Sequence, residues 1–148
     1  MAYEYKVIRT IEFSETDMGG IVHFSNYCKF VETVERQFFK SIGYSIVTSQ
    51  TDPPVGWPRV RIGFDYKKPL SFEDEIEIHL LVAKLRSKSI TYRIHIRKLT
   101  GDTGELAATG EMTVVCVSWI ESSKMKACSI PKEIAAKIEV APAGLIKG

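Results

Sequence analysis

The sequence predicts an α+β fold in which a curled antiparallel sheet of about five strands surrounds one long helix. One stretch, from about Phe24 to Ile42, carries apolar residues at helical spacing. Other stretches alternate apolar and polar residues, which is typical of strands with one buried face. Because no second long helix is expected, the sheet must bury this helix by curling around it. The length of 148 residues fits one domain, spanning residues 1–148.

The predicted helix has a definite start, end and apolar face. Ser25 or Asn26 can cap its start, and Gly43 suits the position after its end. Glu32, Glu35 and Arg36 are expected on its solvent side. Glu32 and Arg36 are four residues apart and are expected to form an ion pair. The apolar stripe comprises Tyr27, Phe30, Val31, Val34, Phe38, Phe39 and Ile42.

The strands are predicted on both sides of this helix. The first lies in residues 3–17, and four more follow at 59–66, 75–85, 89–99 and 105–120, with turns at 86–89 and 100–104. On the first of these four, Val60, Ile62, Phe64 and Tyr66 share one face, which is expected to be buried. The polar phases of the next two strands, which include His79 and His95, are expected on a solvated surface. A proline-rich loop covers 45–58, and a short final helix lies within 130–140.

Composition excludes several classes of function. The net charge is +2 and no basic stripe is present, so nucleic-acid binding is not expected. No apolar stretch is long enough to span a membrane, and no membrane partner is expected. Cys28, Cys116 and Cys128 are odd in number and lack CxxC spacing, so they are expected to be reduced, mostly buried thiols of a cytoplasmic protein, without a metal site.

The segment before the helix is the candidate catalytic element. Asp17 stands just before Gly19 and Gly20, which permit a sharp turn, and the helix then begins near Phe24 with unpaired backbone N–H groups. A carboxylate beside such donors suits attack on a carbonyl, because the donors polarise its oxygen while the carboxylate attacks or activates water. The alternative is that Asp17 only forms the turn.

These residues also carry a family resemblance. The segment "DMGGIVHFSNYCKFVE" resembles the signature of the hotdog-fold acyl-CoA thioesterases of the 4-hydroxybenzoyl-CoA thioesterase class, and "FDYKKPLSFEDEIEI" and "IPKEI" resemble later segments of that family. The resemblance implies cofactor-free hydrolysis of a thioester. It implies that Asp17 is the catalytic carboxylate, as nucleophile or general base, and that the backbone N–H of Phe24 polarises the carbonyl. Related enzymes have a histidine where this chain has Phe24, and here the histidine falls one place earlier, at His23.

The resemblance further implies a coenzyme A thioester, or a carrier-protein thioester, of a small or medium acyl group. The basic turn at 86–89 is expected to meet the coenzyme A phosphates, with Lys67 and Lys68 as second candidates. The segment at 52–58 is expected to wall the acyl pocket, although its tryptophan can equally be a buried anchor. The substrate-binding candidates are His23, Trp57, Arg86, Lys88 and Ser89.

Two other functions and an assembly remain open from the sequence. An enoyl-thioester hydratase or dehydratase of the same fold would use His23 with Asp17, and a non-catalytic acyl-CoA-binding protein would release no thiol. The curled sheet leaves an unsatisfied edge, so a homodimer or homotetramer is expected. In that assembly Asp17 of one chain would face loop residues of its partner.

Overall fold

The computed structural model describes residues 1–101, 104–121 and 124–148. Within these ranges a five-stranded antiparallel sheet has the order β1-β4-β5-β6-β3, and a smaller sheet has the order β2-β7-β8. A short 3₁₀ turn lies at Phe13–Glu15. The strands and helices are β1 (Glu4–Thr10), α1 (Asn26–Ser41), β2 (Val55–Gly56), β3 (Arg59–Tyr66), β4 (Glu75–Leu85), β5 (Ser89–Lys98), β6 (Glu105–Val115), β7 (Val117–Glu121), β8 (Lys124–Ala127), α2 (Lys132–Ala135) and α3 (Ala143–Lys147).

The predicted α+β architecture is confirmed: α1 packs on one face of the large sheet, which is the hotdog fold. At about 1.5 Å per residue the helix is about 24 Å long, and every residue of its predicted stripe is buried. Rings from helix and sheet meet directly, for example Phe38 and Tyr92 with centroids 6.3 Å apart. Burying each such large side chain contributes about 1.5–3 kcal/mol. The sheet residues that complete this core include Ile76, Ile78, Leu80, Ile90, Ile94 and Ile96.

The ends of the helix differ slightly from the prediction. Ser25 occupies the N-cap position but makes no capping hydrogen bond with its side chain. Its hydroxyl lies instead 2.8 Å from Nδ1 of His23. Gly43 follows the helix with a positive φ of 96°, as expected for a residue that terminates a helix.

The prediction that Glu35 lies on the polar side of the helix is wrong. Its side chain is completely buried, and Oε1 accepts a hydrogen bond of 2.5 Å from the guanidinium of Arg59 on β3. Burial raises the pKa of Glu35 to about 7, although Arg59 opposes that shift. The expected Glu32–Arg36 ion pair is not found within 4.0 Å in the described part of the chain. The local sequence could not show that an arginine from a distant strand would cover this carboxylate.

The prediction of solvated histidines is also wrong, because C-terminal residues cover the outer face of the sheet. His79 and His95 are both buried, and their rings lie 6.3 Å apart. Nε2 of His79 lies 2.6 Å from the carboxylate of Glu4. A Cβ on Gly148 would come within 2.8 Å of Cε1 of His95, so backbone packs directly on this ring. Burial, assisted by nearby arginines, lowers the pKa of His95 to about 4.

The C-terminal third differs from the sequence prediction in its details. The single strand expected at 105–120 breaks at Cys116 into β6 and β7, and β7 joins the small sheet. The turn at 86–89 is confirmed, whereas residues 102 and 103 of the turn predicted at 100–104 lie outside the described residues. The predicted final helix is confirmed as α2, and α3 was not predicted.

The burial of the cysteines and of the apolar face of β3 also differs from the sequence prediction. The expectation of mostly buried cysteines is wrong, because only Cys116 is buried, whereas Cys28 is exposed and Cys128 is half-buried. The apolar face of β3 is largely exposed in the single chain, including Val60, Ile62 and Tyr66. No helix among the described residues is long and apolar enough to cross a membrane.

Candidate active site

Asp17 lies in a tight turn that joins the end of the β1 segment to the start of α1. Its backbone N–H donates to the carbonyl of Ile21 at 2.9 Å, and its carbonyl accepts from the N–H of Gly20 at 3.0 Å. Gly20 has a φ of 81°, a conformation that favours glycine. The N–H of Val22 donates to the carbonyl of Leu70 at 2.8 Å, which fixes the turn against the segment before β4.

The carboxylate of Asp17 is exposed and partly engaged by its own turn. Oδ1 accepts a hydrogen bond of 2.8 Å from the backbone N–H of Gly19. A Cβ at Gly19 would lie only 3.1 Å from this oxygen, so glycine permits the close approach. Oδ2 has no hydrogen-bond partner in the ranges the structure describes. Asp17 therefore forms the turn and still presents one oxygen atom to a ligand.

The start of α1 presents an unpaired donor next to this turn. Two short-range bonds lead into the helix, from Asn26 N–H to the carbonyl of His23 at 3.0 Å and from Tyr27 N–H to that of Phe24 at 3.2 Å. The N–H of Phe24 has no acceptor among the residues with described positions. This donor is available to a carbonyl oxygen of a ligand.

The backbone carbonyl of Glu15 ties the Asp17 turn to the helix start. It accepts 2.8 Å hydrogen bonds from the N–H of His23 and from Nδ2 of Asn26, which is buried. The Glu15 carboxylate is itself held by the N–H of Glu12, at 2.8 Å, and by the guanidinium of Arg9. These contacts fix the position of Asp17 relative to the Phe24 N–H.

A cleft of about 430 Å³ opens between these two groups and the end of β3. Its aromatic wall includes Tyr27 and Tyr66, whose ring centroids lie 4.8 Å apart, and Tyr27 also packs on Phe64, with centroids 5.6 Å apart. Burial, assisted by Tyr66, raises the pKa of Tyr27 to about 12, so its hydroxyl stays protonated at neutral pH. The residues that line the cleft include Asp17, Phe24, Tyr27, Tyr66, Lys67 and Leu70.

Two lysines follow the aromatic wall at the mouth of this cleft. Lys68 Nζ lies 2.7 Å from a carboxylate oxygen of Glu105, and both side chains are exposed. Lys67 has no carboxylate within 4.0 Å among the described residues, so its cation is available to an anionic ligand.

His23 borders a different cleft, of about 900 Å³, on the other side of the Asp17 turn. Its ring stacks on Phe24 with centroids 4.5 Å apart, and its Nδ1 is engaged by the Ser25 hydroxyl. Asp17 borders both clefts. The structure thus brings His23 close to the candidate site, but not into the aromatic cleft.

The other predicted binding residues line neither of the two clefts that contain Asp17. Trp57 is buried, packs on Phe39 with centroids 5.1 Å apart, and donates from Nε1 to the Thr48 hydroxyl at 3.4 Å. It lines neither cleft that contains Asp17. The turn with Arg86, Lys88 and Ser89 follows the far end of β4, whose near end contacts the Asp17 segment. At about 3.3 Å per residue, the length of β4 separates the 86–89 turn from the Asp17 turn by roughly 30 Å.

Tyr27 and Tyr66 line the candidate site, although the sequence did not predict them as site residues. Both were assigned to apolar faces, and alternation or helical spacing alone does not distinguish a core residue from one that borders a cleft. Their hydroxyl groups were the available signal, since a buried tyrosine usually needs a polar neighbour or an opening to solvent. In the described part of the chain, no cluster of three or more His, Cys, Asp or Glu side chains could hold a metal ion.

Comparison with known proteins identifies the family and the fold of the chain. The sequence profile of the Thioesterase-like superfamily matches residues 11–138. A protein of Aquifex aeolicus (strain VF5) is 30% identical over 126 residues, which cover 85% of this chain and 91% of the relative. The gentisyl-coenzyme A thioesterase BH1999 is 26% identical, with a TM-score of 0.75 over 88% of this chain and 99% of that structure. The 4-hydroxybenzoyl-CoA thioesterase of Pseudomonas sp. strain CBS-3 is 21% identical, with a TM-score of 0.83 over 92% and 99%.

The chain therefore belongs to the Thioesterase-like superfamily and has its hotdog fold. It is a thioester hydrolase, as the sequence resemblance implied.

Proposed function

We propose that the protein hydrolyses acyl-CoA thioesters in the aromatic cleft, with Asp17 as its catalytic carboxylate. The observation that supports this assignment most directly is the pairing of a free carboxylate oxygen with the unpartnered N–H of Phe24 at one cleft. The thioester carbonyl oxygen accepts a hydrogen bond from that N–H, which stabilises the negative charge that develops on it. One such donor typically contributes about 2.7–4 kcal/mol.

Asp17 can serve this reaction in two ways. As a nucleophile, Oδ2 attacks the thioester carbon and expels the thiolate of coenzyme A, and water then hydrolyses the resulting mixed anhydride. As a general base, the carboxylate removes a proton from a water molecule that attacks the same carbon. In both cases the Gly19 N–H holds Oδ1 and so orients Oδ2.

The cleft also supports a substrate class. Its volume of about 430 Å³ suits a small or medium acyl group, and its aromatic wall provides apolar contact. Lys67 at the mouth is placed to meet an anionic part of the substrate. A panel of acyl-CoA and acyl-carrier thioesters, assayed by thiol release, identifies the preferred acyl group and carrier.

The first prediction concerns Asp17→Asn. We expect at least an about 10²-fold loss of turnover on a good acyl-CoA substrate, since a positioned base contributes about 10² to 10⁴. The melting temperature should change little, because the amide oxygen can still accept from Gly19. The matched control is Asp52→Asn, an exposed carboxylate in the 45–58 loop that lines neither cleft. Full activity of the Asp17 variant would remove the assignment.

We further propose that two chains pair through their β3 edges. β3 is an edge strand of eight residues whose outer side has no partner strand in the described ranges, and Val60 and Ile62 are exposed on it. A long exposed edge strand with apolar side chains favours pairing with another strand. A homodimer, alone or within a homotetramer, would cover this edge.

Antiparallel pairing of two β3 strands would also complete the site. Arg59, at the start of β3, pairs with Val114 of β6. Val114 in turn pairs with Ile90 of β5, which lies beside the 86–89 turn. Tyr66, at the other end, lines the cleft. A two-fold axis near the middle of β3 would therefore bring the partner's basic turn to the Asp17 end. The turn would lie two to three strand spacings away, roughly 15 Å, within the reach of the long pantetheine arm of coenzyme A.

A further inference from the structure

Cys116 and Cys128 face each other where β6 ends and the small sheet begins. Their Sγ atoms are 3.6 Å apart, and the N–H of Cys128 donates to the carbonyl of Cys116 at 2.9 Å. The pair continues the β7–β8 register, in which Val117 lies opposite Ala127. Directly opposed residues in antiparallel strands have Cα atoms about 4.5–5.5 Å apart. This separation lies within the roughly 4.4–6.8 Å that a disulfide requires.

We propose that Cys116 and Cys128 form a reversible dithiol–disulfide site, which small disulfides of the glutathione class oxidise. Bond formation requires the two sulfur atoms to approach by about 1.5 Å, to a bond length of about 2.05 Å. Rotation about the Cα–Cβ bonds of the two residues supplies such a movement without a change of strand register. Cys28, which is exposed on α1, has no such cysteine partner.

The exposure of the two thiols determines the order of the reaction. Cys128 is half-buried and meets the oxidant first, whereas Cys116 is completely buried. The Cys128 thiolate attacks one sulfur of the small disulfide, whose S–S bond breaks to release one small thiol. Cys116 then loses its proton to solvent and attacks Sγ of Cys128, which displaces the second small thiol. Two protein thiols are oxidised and one small disulfide is reduced to two thiols.

The second step should be slow at neutral pH. Burial, together with the contact to Cys128, raises the pKa of Cys116 to about 12. Only the thiolate is nucleophilic, so ring closure accelerates as pH rises. A transient mixed disulfide on Cys128 is therefore expected before the internal bond forms.

The site lies directly beneath the basic turn. The N–H of Cys116 donates to the carbonyl of Lys88, and that of Ile130 donates to the carbonyl of Ser87, both at 2.8 Å. A Cys116–Cys128 bond would join the two segments that hold this turn. An effect on coenzyme A binding rests on the proposed function above, whereas the formation of the disulfide does not.

The test uses the full chain with Cys28→Ser, treated with oxidised glutathione at pH 8.5 and then freed of it. We expect the intact mass to fall by two hydrogen atoms and no thiol to be titratable in denaturant. The melting temperature should rise by about 5 °C, because the crosslink restricts the unfolded chain. A reductant should reverse all three changes. The matched control, Cys28→Ser with Cys128→Ser, should form no disulfide within the chain and show no rise in melting temperature.

Three results would overturn the proposal: two thiols that remain titratable, a glutathione adduct that never resolves, or a disulfide between chains instead of within one. None of these measurements involves a thioester substrate. Their outcome is therefore independent of the role of Asp17.

Discussion

At the residue scale, His95 and Glu35 give the fold two pH responses of opposite sign. His95 has a lowered pKa of about 4 and is neutral in the native state at pH values where the unfolded chain takes up a proton. The free energy of unfolding therefore falls as pH drops from about 6.5 towards 4. Glu35 has a raised pKa of about 7, so the native state binds its proton more tightly than the unfolded chain. The contribution of Glu35 to the free energy of unfolding therefore falls as pH rises from about 4.5 to 7.

Replacement of His95 by Gln should remove the pH dependence of the unfolding free energy that is due to His95 and leave that due to Glu35. The variant retains a polar side chain of similar size but cannot take up a proton in the unfolded state. We expect its loss of unfolding free energy between pH 7 and pH 5 to be smaller than that of the wild type by about 1–2 kcal/mol. Urea unfolding at the two pH values measures this difference. Equal pH dependence in the two proteins would show that His95 is not held neutral.

Replacement of Arg59 by Met tests the buried ion pair. It leaves the fully buried Glu35 without its cation, and breaking a buried pair typically costs about 3–5 kcal/mol. Because a third of the Arg59 side chain is exposed, we expect a smaller loss, about 2–3 kcal/mol at pH 8. At pH 6 the loss should shrink, since Glu35 is then protonated.

The matched control for that substitution is Arg61→Met, an exposed arginine on the same strand. It should change the unfolding free energy by less than about 0.5 kcal/mol. If Arg59→Met lost the same amount at pH 6 as at pH 8, the loss would come from packing and not from charge.

At the element scale, α1 both fills the core and carries the candidate oxyanion donor at its start. Phe38 is completely buried and contacts Phe39 and Tyr92 through edge-to-face rings. Phe38→Ala should lower the unfolding free energy by about 3–5 kcal/mol, because it removes buried surface and leaves a cavity. Glu32→Ala, on the exposed side of the same helix, should change it by less than about 0.5 kcal/mol. Similar effects of the two substitutions in urea unfolding would contradict the assignment of the helix faces.

At the scale of the whole molecule, one substitution on the open edge of β3 tests the proposed pairing of two chains. Ile62→Glu would place a carboxylate in the proposed interface, and a buried unpaired charge weakens association. We expect light scattering at micromolar concentration to show an oligomer for the wild type and a monomer for the variant. The thioesterase activity of the monomeric variant should also fall, because the basic turn of the partner is no longer beside the site.

Ile8→Glu is the matched control, since Ile8 is an exposed apolar residue on β1, at the opposite edge of the same sheet. It should leave the β3-paired dimer intact. A wild-type protein that is monomeric at micromolar concentration would refute the interface.

Sequence alone predicted the main elements of this fold, because each depends on local periodicity. The apolar spacing from Tyr27 to Ile42 marked the buried face of α1, alternation located β3, β4 and β5, and a more apolar run located β6. The Asp17–Gly20 turn was also predictable, since glycine readily adopts the positive φ that a sharp turn requires, as Gly20 does. The roles of Asp17 and Phe24 remain predictions.

The tertiary structure alone decided what covers each face. Glu35 and His95 are buried by Arg59 and by the C-terminal residues, which are distant in sequence. The same contacts between distant segments place Tyr27 beside Tyr66 and Cys116 beside Cys128. Periodicity shows in which direction a side chain points, but not which segment packs against it. Burial, pKa shifts and the lining of the cleft therefore follow only from the folded chain.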